Sequence, residues 1–202
     1  MDFGLRESFV SSLGECSNPS PTLNRQQDLI FRAPLSQDVE AVSALGRDTF
    51  CETFAHLYRP EDLSRFLEQA YAPDALAPLI EDQNQFWRVL EDPETRSLIG
   101  YVQAGACTLP HPLVTPSCSE LKRFYIRQSH QGLGLGGRLI TQALHFMTTE
   151  FSGDQWIGVW SENHGAQRLY GRYGFTKAGE YGFAVGDQLD LEFILRRDRP
   201  CS

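Results

Sequence analysis

The segment of this sequence with the clearest capacity for chemistry is a glycine-rich turn, Gln131-Gly132-Leu133-Gly134-Leu135-Gly136. Glycine has no Cβ and adopts positive φ readily, so the backbone of such a turn can come close to a ligand. If a helix begins there, the N–H groups from Gly132 to Arg138 point outward together and can bind a phosphate through aligned donors and the helix dipole. Arg127 and Arg138 add positive charge nearby. We therefore predict an anion-binding site, with a turn that merely allows close helix packing as the alternative.

The spacing of the glycines bears on which phosphate ligand binds. The turn is not a nucleoside-triphosphate loop, because no Gly-Lys-Ser or Gly-Lys-Thr closes it. Gly132, Gly134 and Gly137 do form a G-x-G-x-x-G, and Glu162 could be the ribose-binding acid of a dinucleotide fold. However, residues 127–131 separate the preceding strand from the first glycine, and the chain after Glu162 is too short for a second half-sheet. Dinucleotide binding therefore stays an alternative.

The elements around the turn predict a strand-helix-strand unit. Leu121–Ile126 and Trp156–Trp160 are rich in the β-branched and aromatic residues of strands. Between them, apolar residues follow the period of an amphipathic helix. These helical positions are Leu139, Ile140, Ala143, Leu144 and Met147. The unit is the crossover expected of two parallel neighbours in a sheet.

The rest of the chain predicts further helices and strands, which together indicate an α/β domain with a mixed sheet. The predicted helices are one capped by Ser36 with Val39, Val42, Leu45 and Phe50 on its apolar face, one opened by Pro60, one over Asp74–Ile80, and one capped by Asn163 and stopped by Gly174. The predicted strands are Leu29–Arg32, a hairpin of Phe86–Leu90 with Ser97–Val102, and the closing strands Phe175–Glu180, Phe183–Val185 and Leu189–Leu195.

Length and composition favour one folded domain. The chain has 202 residues, of which 41% are hydrophobic, and this is enough for one self-supporting core. Residues 1–27 are rich in Ser, Asn and Pro and lack an apolar period, so we predict a flexible tail there and a folded domain over 28–202. The N-terminus carries an early acid, and no apolar run approaches the ~20 residues that span a bilayer. We expect neither a secretory signal nor a membrane partner.

The charge and the cysteines exclude other classes of function. The five cysteines are scattered, which indicates free thiols in a reducing compartment and no metal site. A loose zinc set of Cys107, His111 and Cys118 is less favoured than ordinary loop residues. The net charge of -8 argues against nucleic acid as a partner. Residues 51–100 hold ten acids and four bases, whereas 122–138 hold four bases and no acid, so a cationic substrate and an anionic cofactor could bind on different sides. An unevenly charged, solvated surface is the alternative.

Three segments in this order resemble the GNAT superfamily of N-acetyltransferases. They are Glu120-Leu121-Lys122-Arg123-Phe124-Tyr125-Ile126, then Gln131-x-x-Gly134-x-Gly136, then Trp156 to Phe175 with Asn163, Ala166, Leu169, Tyr170, Tyr173 and Gly174 at matching positions. The combination is far more specific than any part, and the similarity extends over roughly residues 29–195. A weaker match, Thr49-Phe50-x-x-Thr53-Phe54 with Gly186-Asp187-Gln188, is most similar to the bacterial spermidine/spermine acetyltransferase branch. The resemblance implies a mixed, largely antiparallel central sheet with flanking helices, in which the strand-helix-strand unit binds acetyl-CoA.

The resemblance also implies a role for individual residues. Backbone groups of Phe124 and Ile126 would hold the pantetheine arm like an extra strand, and the amides around residues 131–137 would hold the pyrophosphate. Asn163 would lie near the arm. Tyr170 would protonate the departing sulfur, and Glu120 would act as base directly or through water. The implied cofactor-binding residues are Phe124, Tyr125, Ile126, Gln131, Gly132, Leu133, Gly134, Leu135, Gly136, Gly137, Arg138 and Asn163. Leu133 and Gln131 stand where polar or basic residues are common, but backbone donors make neither change an obstacle to binding.

The implied activity is transfer of an acetyl group from acetyl-CoA to a primary amine of a small amine, a polyamine or a peptide, by direct attack in a ternary complex without a metal. A base is useful, because deprotonating an amine with a pKa of ~10.4 at pH 7 costs about 4 to 5 kcal/mol. The alternative is a non-catalytic module that senses CoA or a nucleotide. We expect a cytoplasmic protein, either a monomer or a homodimer, that binds neither nucleic acid nor membrane.

Overall fold

A computed structural model describes residues 29–199 of the chain. The tail predicted over residues 1–27 lies outside the described residues. No helix within 29–199 is long and apolar enough to cross a membrane.

One mixed sheet forms the centre of the described part. Its strands are β1 (Ile30–Arg32), β2 (Phe86–Glu91), β3 (Leu98–Ala106), β4 (Ser119–Ile126), β5 (Gln155–Trp160), β6 (Thr176–Val185) and β7 (Gln188–Arg197). Their order across the sheet is β1-β2-β3-β4-β5-β7-β6. Among these described strands only β4 and β5 pair in parallel, and the other neighbours are antiparallel. This confirms the mixed, largely antiparallel sheet expected from the sequence.

Helices cover both faces of this sheet. They are α1 (Val39–Phe54), α2 (Pro60–Tyr71), α3 (Pro73–Glu81), α4 (Leu135–Glu150) and α5 (His164–Arg172). Because side chains alternate along a strand, Tyr101 and Val102 of β3 point to opposite faces, and they belong to different apolar clusters. The Val102 cluster includes α4 and α5, whereas the Tyr101 cluster includes α1 and α3.

The predicted crossover is confirmed: β4, α4 and β5 form a strand-helix-strand unit. Leu139 and Met147 on the inner face of α4 are fully buried, and each such side chain contributes about 1.5 to 3 kcal/mol through the apolar area it removes from water. The parallel pairing of β4 with β5 has only two register pairs, Ser119 with Gln155 and Glu120 with Trp156. Beyond them the two strands part, which opens a cleft in the middle of the sheet.

Two local predictions were wrong. Helix α1 begins at Val39 and Ser36 does not cap it, because residues 36–38 form a 3₁₀ turn. The carboxylate of Asp38 accepts a hydrogen bond from Leu35 N at 2.6 Å. The closing strands predicted on either side of Gly182 form one strand, β6, because its pairing with β7 continues through Gly182 and Leu191.

Candidate active site

A large cavity of about 1020 Å³ follows the cleft between β4 and β5. At one end it is lined by the glycine-rich turn and the first turn of α4. At the other end it is lined by α1, α2, β6 and β7. Of the catalytic and cofactor-binding residues proposed from the sequence, those on the cavity wall are Glu120, Phe124, Tyr125, Ile126, Gln131, Gly132, Gly134, Leu135, Gly136, Gly137, Asn163 and Tyr170. The fold therefore brings together segments that lie up to about 50 residues apart in the chain.

The backbone of the glycine-rich turn is open towards the cavity. Gly132 and Gly134 have φ angles of +77° and +75°, which are conformations that favour glycine. A Cβ built at either position meets no atom within 4 Å. Gly134 is the N-cap of α4, so the positive end of the helix dipole faces the same space. Gly136 differs, because a Cβ there would lie 3.1 Å from Phe124 Cζ, so this glycine allows α4 to approach β4.

The amides of this turn are available to an anion. Within residues 29–199, the N–H groups of residues 132–136 make no hydrogen bond. The Gly137 amide is already used, because it donates to Gly134 O at 3.2 Å. Backbone donors without a protein partner at a helix N-terminus form an anion-binding nest. The turn thus has the physical properties that a phosphate group requires.

The two arginines near the turn, Arg138 and Arg127, have their partners outside the cavity. The Arg138 guanidinium lies over the Phe31 ring, 4.0 Å from its centroid, and does not line the cavity. Arg127 pairs with Asp48 of α1 at 3.0 Å. Leu133 is 43% exposed and also lies off the cavity wall. Anion binding at this turn therefore depends on the backbone more than on these side chains.

On β4, residues 124–126 run along the open cleft. The Gln131 side chain donates to Ile126 O at 2.9 Å, so this carbonyl already has a protein donor. The Tyr125 hydroxyl lies 2.7 Å from that of Tyr71. Burial raises the pKa of Tyr125, against the opposing influence of the Tyr71 hydrogen bond and of Arg123. Tyr125 therefore stays neutral and ties β4 to α2.

Asn163 and Tyr170 are among the residues of the segment 163–175 that line the cavity. Asn163 caps α5 as predicted, since its Oδ1 accepts from Ala166 N at 3.0 Å. The Tyr170 side chain is 7% exposed, and its hydroxyl has no hydrogen-bond partner within the described residues. Burial, followed by the nearby Tyr125 and Glu192, raises the pKa of Tyr170. The phenol consequently keeps its proton at neutral pH and can donate a hydrogen bond into the cavity.

Glu120, at the start of β4, is bound by several donors. One carboxylate oxygen, Oε2, accepts from Thr108 N at 2.8 Å, from Thr108 Oγ1 at 3.0 Å and from Lys122 Nζ at 3.0 Å. A bulge in the pairing of β3 with β4 beside Lys122 accompanies this close pair. Glu120 lines the cavity, but its negative charge is balanced by the lysine.

The structure adds residues that were not predicted from the sequence. Asp190 and Glu192 of β7 both line the cavity. Tyr58 donates a hydrogen bond to Asp190, and Tyr181 donates one to Glu192 Oε2 at 2.6 Å. Neither carboxylate forms an ion pair with any residue in 29–199. The alternation Asp-Leu-Glu in a predicted strand was the available signal, because it places both acids on one face.

The acidic end also has aromatic walls. Phe54 lies edge-on to Trp160 at 5.5 Å, and Phe66 lies edge-on to Phe183 at 5.7 Å. All four rings are part-exposed on the cavity wall. Aromatic faces bind both apolar groups and cations, so this end suits a cationic group on a carbon chain. No cluster of three metal-ligating side chains occurs in the described part of the chain.

Comparison with known proteins is consistent with this geometry. Residues 47–175 match the model described as the acetyltransferase (GNAT) family. The chain is 31% identical over 162 residues to the uncharacterized N-acetyltransferase in the pepI 3′ region of Lactobacillus delbrueckii subsp. lactis, an alignment that covers 80% of this chain and 92% of that protein.

Solved structures share the fold at lower identity. One is the PaiA N-acetyltransferase of Thermoplasma acidophilum in complex with coenzyme A, with a TM-score of 0.67, 16% identity, and coverage of 85% of this chain and 99% of that one. Another is the spermidine/spermine N-acetyltransferase SpeG of Vibrio cholerae, with a TM-score of 0.60, 20% identity, and coverage of 86% and 95%. The spermidine/spermine enzyme is one similar structure among several, so these matches do not single out that branch.

Proposed function

The chain belongs to the acetyltransferase (GNAT) family, and we propose that it acetylates the primary amine of a small cationic molecule. Members of this family are N-acetyltransferases that use acetyl-CoA as co-substrate, and this chain is such an enzyme. The amine attacks the thioester directly, with both substrates bound in the same cavity. Three kinds of acceptor are compatible with this proposal: a simple amine, a polyamine as in the spermidine/spermine branch, and a peptide amine.

One observation carries this proposal: the same cavity joins an open nest of amides to the Tyr170 hydroxyl and then to a pair of carboxylates. A diphosphate at the nest places the rest of the coenzyme along the parted edge of β4. An ammonium group is attracted to the opposite, acidic end. The two substrates can therefore meet inside the cleft, which is the condition for direct transfer.

The geometry of the turn supports a specific set of coenzyme contacts. The amides of residues 132–136 bind the pyrophosphate, and Gln131 and Gly137 lie beside them on the cavity wall. Arg138 follows in the first turn of α4, with its guanidinium over Phe31 and off the cavity wall. The cleft-facing backbone of Phe124, Tyr125 and Ile126 lies beside the pantetheine arm, with Asn163 across the cleft. Because Ile126 O is held by Gln131, the arm depends on the remaining backbone groups of this edge.

Tyr170 and Glu120 are the catalytic residues proposed from the sequence. The neutral Tyr170 phenol donates a hydrogen bond to the departing sulfur. A thiol with a pKa near ~8.5 is a good leaving group, so this hydrogen bond assists without being indispensable. Glu120 borders the acceptor site, where Lys122 already balances its negative charge.

A ligand panel followed by a turnover assay tests the function. Acetyl-CoA at ~100 times its dissociation constant should stabilise the fold by about 2.7 kcal/mol, whereas NAD and ATP should do little. Mixing the enzyme, acetyl-CoA and a panel of amines should then release free CoA and the N-acetyl product, which mass spectrometry detects. An enzyme-only sample corrects for the protein's own thiols. Stabilisation by acetyl-CoA without turnover of any amine would indicate a sensor, and stabilisation by NAD alone would indicate a dinucleotide-binding protein.

A further inference from the structure

Glu192 occupies a distinctive position on the cavity wall. It lies on β7 opposite Trp160 of β5, where the cleft opens. Its Oε2 would be 2.9 Å from a Cβ built on Gly158, so the carboxylate lies directly over this glycine of β5. Glu192 therefore reaches the part of the cleft in which β4 and β5 no longer pair.

The partners of Glu192 differ from those of Glu120. Glu192 accepts one hydrogen bond, from the neutral Tyr181 hydroxyl, and has no cationic partner within residues 29–199. Glu120 is paired with Lys122 and also accepts two hydrogen bonds from Thr108. A nearby cation stabilises a carboxylate and reduces its tendency to take a proton. Of the two glutamates, Glu192 is the one whose charge is not balanced by a cationic partner within residues 29–199, so it is the one available to an incoming ammonium group.

The surroundings of Glu192 strengthen this difference. Burial raises the pKa of Glu192, the Tyr181 hydrogen bond lowers it, and the charges of Asp190 and Glu120 raise it. A carboxylate with a raised pKa is better matched to proton transfer near neutral pH. The titratable or charged groups around it are Tyr58, Glu120, Lys122, Tyr125, Tyr170, Tyr181 and Asp190.

We propose that Glu192 is the catalytic base that takes a proton from the acceptor ammonium, and that Tyr181 positions its carboxylate. This inference rests on the proposed function and deepens it. Glu192 and Asp190 present two negative charges without a cationic partner in the described part of the chain, so a positively charged primary amine is the favoured acceptor. Tyr170 and Glu192 line the same cavity, and the charge of Glu192 contributes to the raised pKa of Tyr170.

Atoms and charge balance in the proposed step. An ammonium N–H bond breaks, and its proton moves to the Glu192 carboxylate. The freed lone pair forms the C–N bond to the thioester carbonyl carbon, and the C–S bond breaks with its electron pair going to sulfur. The sulfur takes a proton from Tyr170, and the phenol is restored by the second proton lost from nitrogen. Glu192 then releases its proton to solvent, so the net products are the amide, free CoA and one proton.

The central experiment compares Glu192→Gln with Glu120→Gln in the full chain. Glu192→Gln should lower kcat by ~10² to 10³, in the range typical of a general base, with little change in acetyl-CoA affinity. Its deficit should shrink as the pH approaches ~10.4, where the amine loses its proton without help. Glu120→Gln should lower kcat less. Glu180→Gln, on the exposed part of β6 beside Lys177, is the matched control and should retain wild-type kcat.

Two neighbouring substitutions give a signature that a structural role would not produce. Tyr181→Phe removes the hydrogen bond that lowers the pKa of Glu192, so the acid limb of the kcat profile should move to higher pH. Asp190→Asn removes a charge that raises this pKa, so the same limb should move to lower pH. The pH dependence of kcat at saturating amine measures both shifts.

The outcomes separate this inference from the proposed function. If Glu192→Gln retains kcat within threefold while the wild type acetylates amines, Glu192 is not the base although the function stands. Shifts of the acid limb in the same direction for Tyr181→Phe and Asp190→Asn also overturn the inference. If the Glu192→Gln variant does not fold, the two neighbouring variants still decide. Failure of the proposed function would instead appear as an absence of turnover in the wild type with every amine.

Discussion

Two pairs of acids in the described part of the chain, one buried and one half-buried, have opposite kinds of partner. Asp38 and Glu91 share Arg32, whose guanidinium lies 2.5 Å from each carboxylate, and Arg96 adds a contact of 2.9 Å to Glu91. Asp190 and Glu192, in contrast, accept hydrogen bonds only from neutral groups within residues 29–199. The first group joins β1, β2 and the turn before α1, and the second lines the cavity.

The difference indicates which acids stabilise the fold and which are available to a ligand. The Arg32 hydrogen bond is the main reason that the pKa of Asp38 lies below its ordinary value, so this carboxylate is fully ionised and engaged. Burial raises the pKa of Glu192, so its ionised form is costly in the free protein. Carboxylates with a raised pKa in a cleft are typical of functional sites.

The largest expected effect on stability comes from removing the shared cation. Arg32→Met leaves Asp38 and Glu91 without their main partner, and the free energy of unfolding should fall by about 3 kcal/mol. Denaturant unfolding measures this change, and kcat should stay within twofold at temperatures where the variant is folded. Arg168→Met is the control, because Arg168 is exposed on α5 without an ion pair in the described chain, and it should cost less than about 0.5 kcal/mol. An equally small loss for Arg32→Met would remove the distinction between the two groups.

On the cavity side, the Tyr170 hydroxyl also lacks a protein partner among the described residues. Tyr170→Phe should lower kcat by ~10² and leave acetyl-CoA affinity nearly unchanged, because the lost hydrogen bond is made only to the leaving sulfur. Steady-state kinetics and calorimetric titration measure the two quantities. Tyr173→Phe is the matched control, since that hydroxyl lies 3.4 Å from Gly137 O and off the cavity wall. Wild-type turnover in Tyr170→Phe would exclude Tyr170 from the mechanism.

The paired group should also show a distinct dependence on pH. Asp38→Asn should lower the free energy of unfolding by about 2 kcal/mol at pH 7, the range of hydrogen bonds to charged groups. The pKa of Asp38 is lowered by folding, so its contribution is present above the ordinary value of 3.8 and is lost as the pH falls through the folded pKa. The difference between the wild type and Asp38→Asn should therefore vanish in acid. A difference that is constant with pH would show that the carboxylate charge is not what stabilises the fold.

The smallest expected effect has the opposite sign. Folding raises the pKa of Glu192, so the ionised carboxylate destabilises the fold increasingly as the pH rises from its ordinary value of 4.5 through the folded pKa. Glu192→Gln should therefore raise Tm at neutral pH by about 2 to 4 °C, which corresponds to about 1 kcal/mol, and have little effect below pH 4.5. Thermal unfolding without substrates checks this. A lower Tm at neutral pH would mean that Glu192 stabilises the fold.

Much of the fold follows from local patterns in the sequence. The strand-helix-strand unit was predictable because the apolar period changes from two to 3.6 across the glycine-rich turn. The cap by Asn163 and the stop at Gly174, with φ +87°, were predictable from residue type alone. The prediction that Ser36 caps α1 was wrong because Asp38, two residues later, occupies the N-cap position and pairs with Arg32.

The acceptor side of the site was less predictable. Leu189 and Leu191 alternate with Asp190 and Glu192, and the usual pattern places leucines inside. In the structure the leucines are 69% and 46% exposed, and the acids face the cavity. This inversion depends on the cleft between β4 and β5, which arises from long-range pairing that no local pattern encodes. The nest of amides, by comparison, is encoded within six consecutive residues.

The parting of β4 and β5 also affects how the molecule moves. The sheet consists of two panels, β1–β4 and β5–β7, whose inner edges meet at only two register pairs. Local opening needs the least free energy where the fewest bonds must break, so the unjoined edges at residues 121–126 and 157–160 are where the panels can spread. A coenzyme lying between these edges would hold the panels together, and its departure would restore their freedom to move apart.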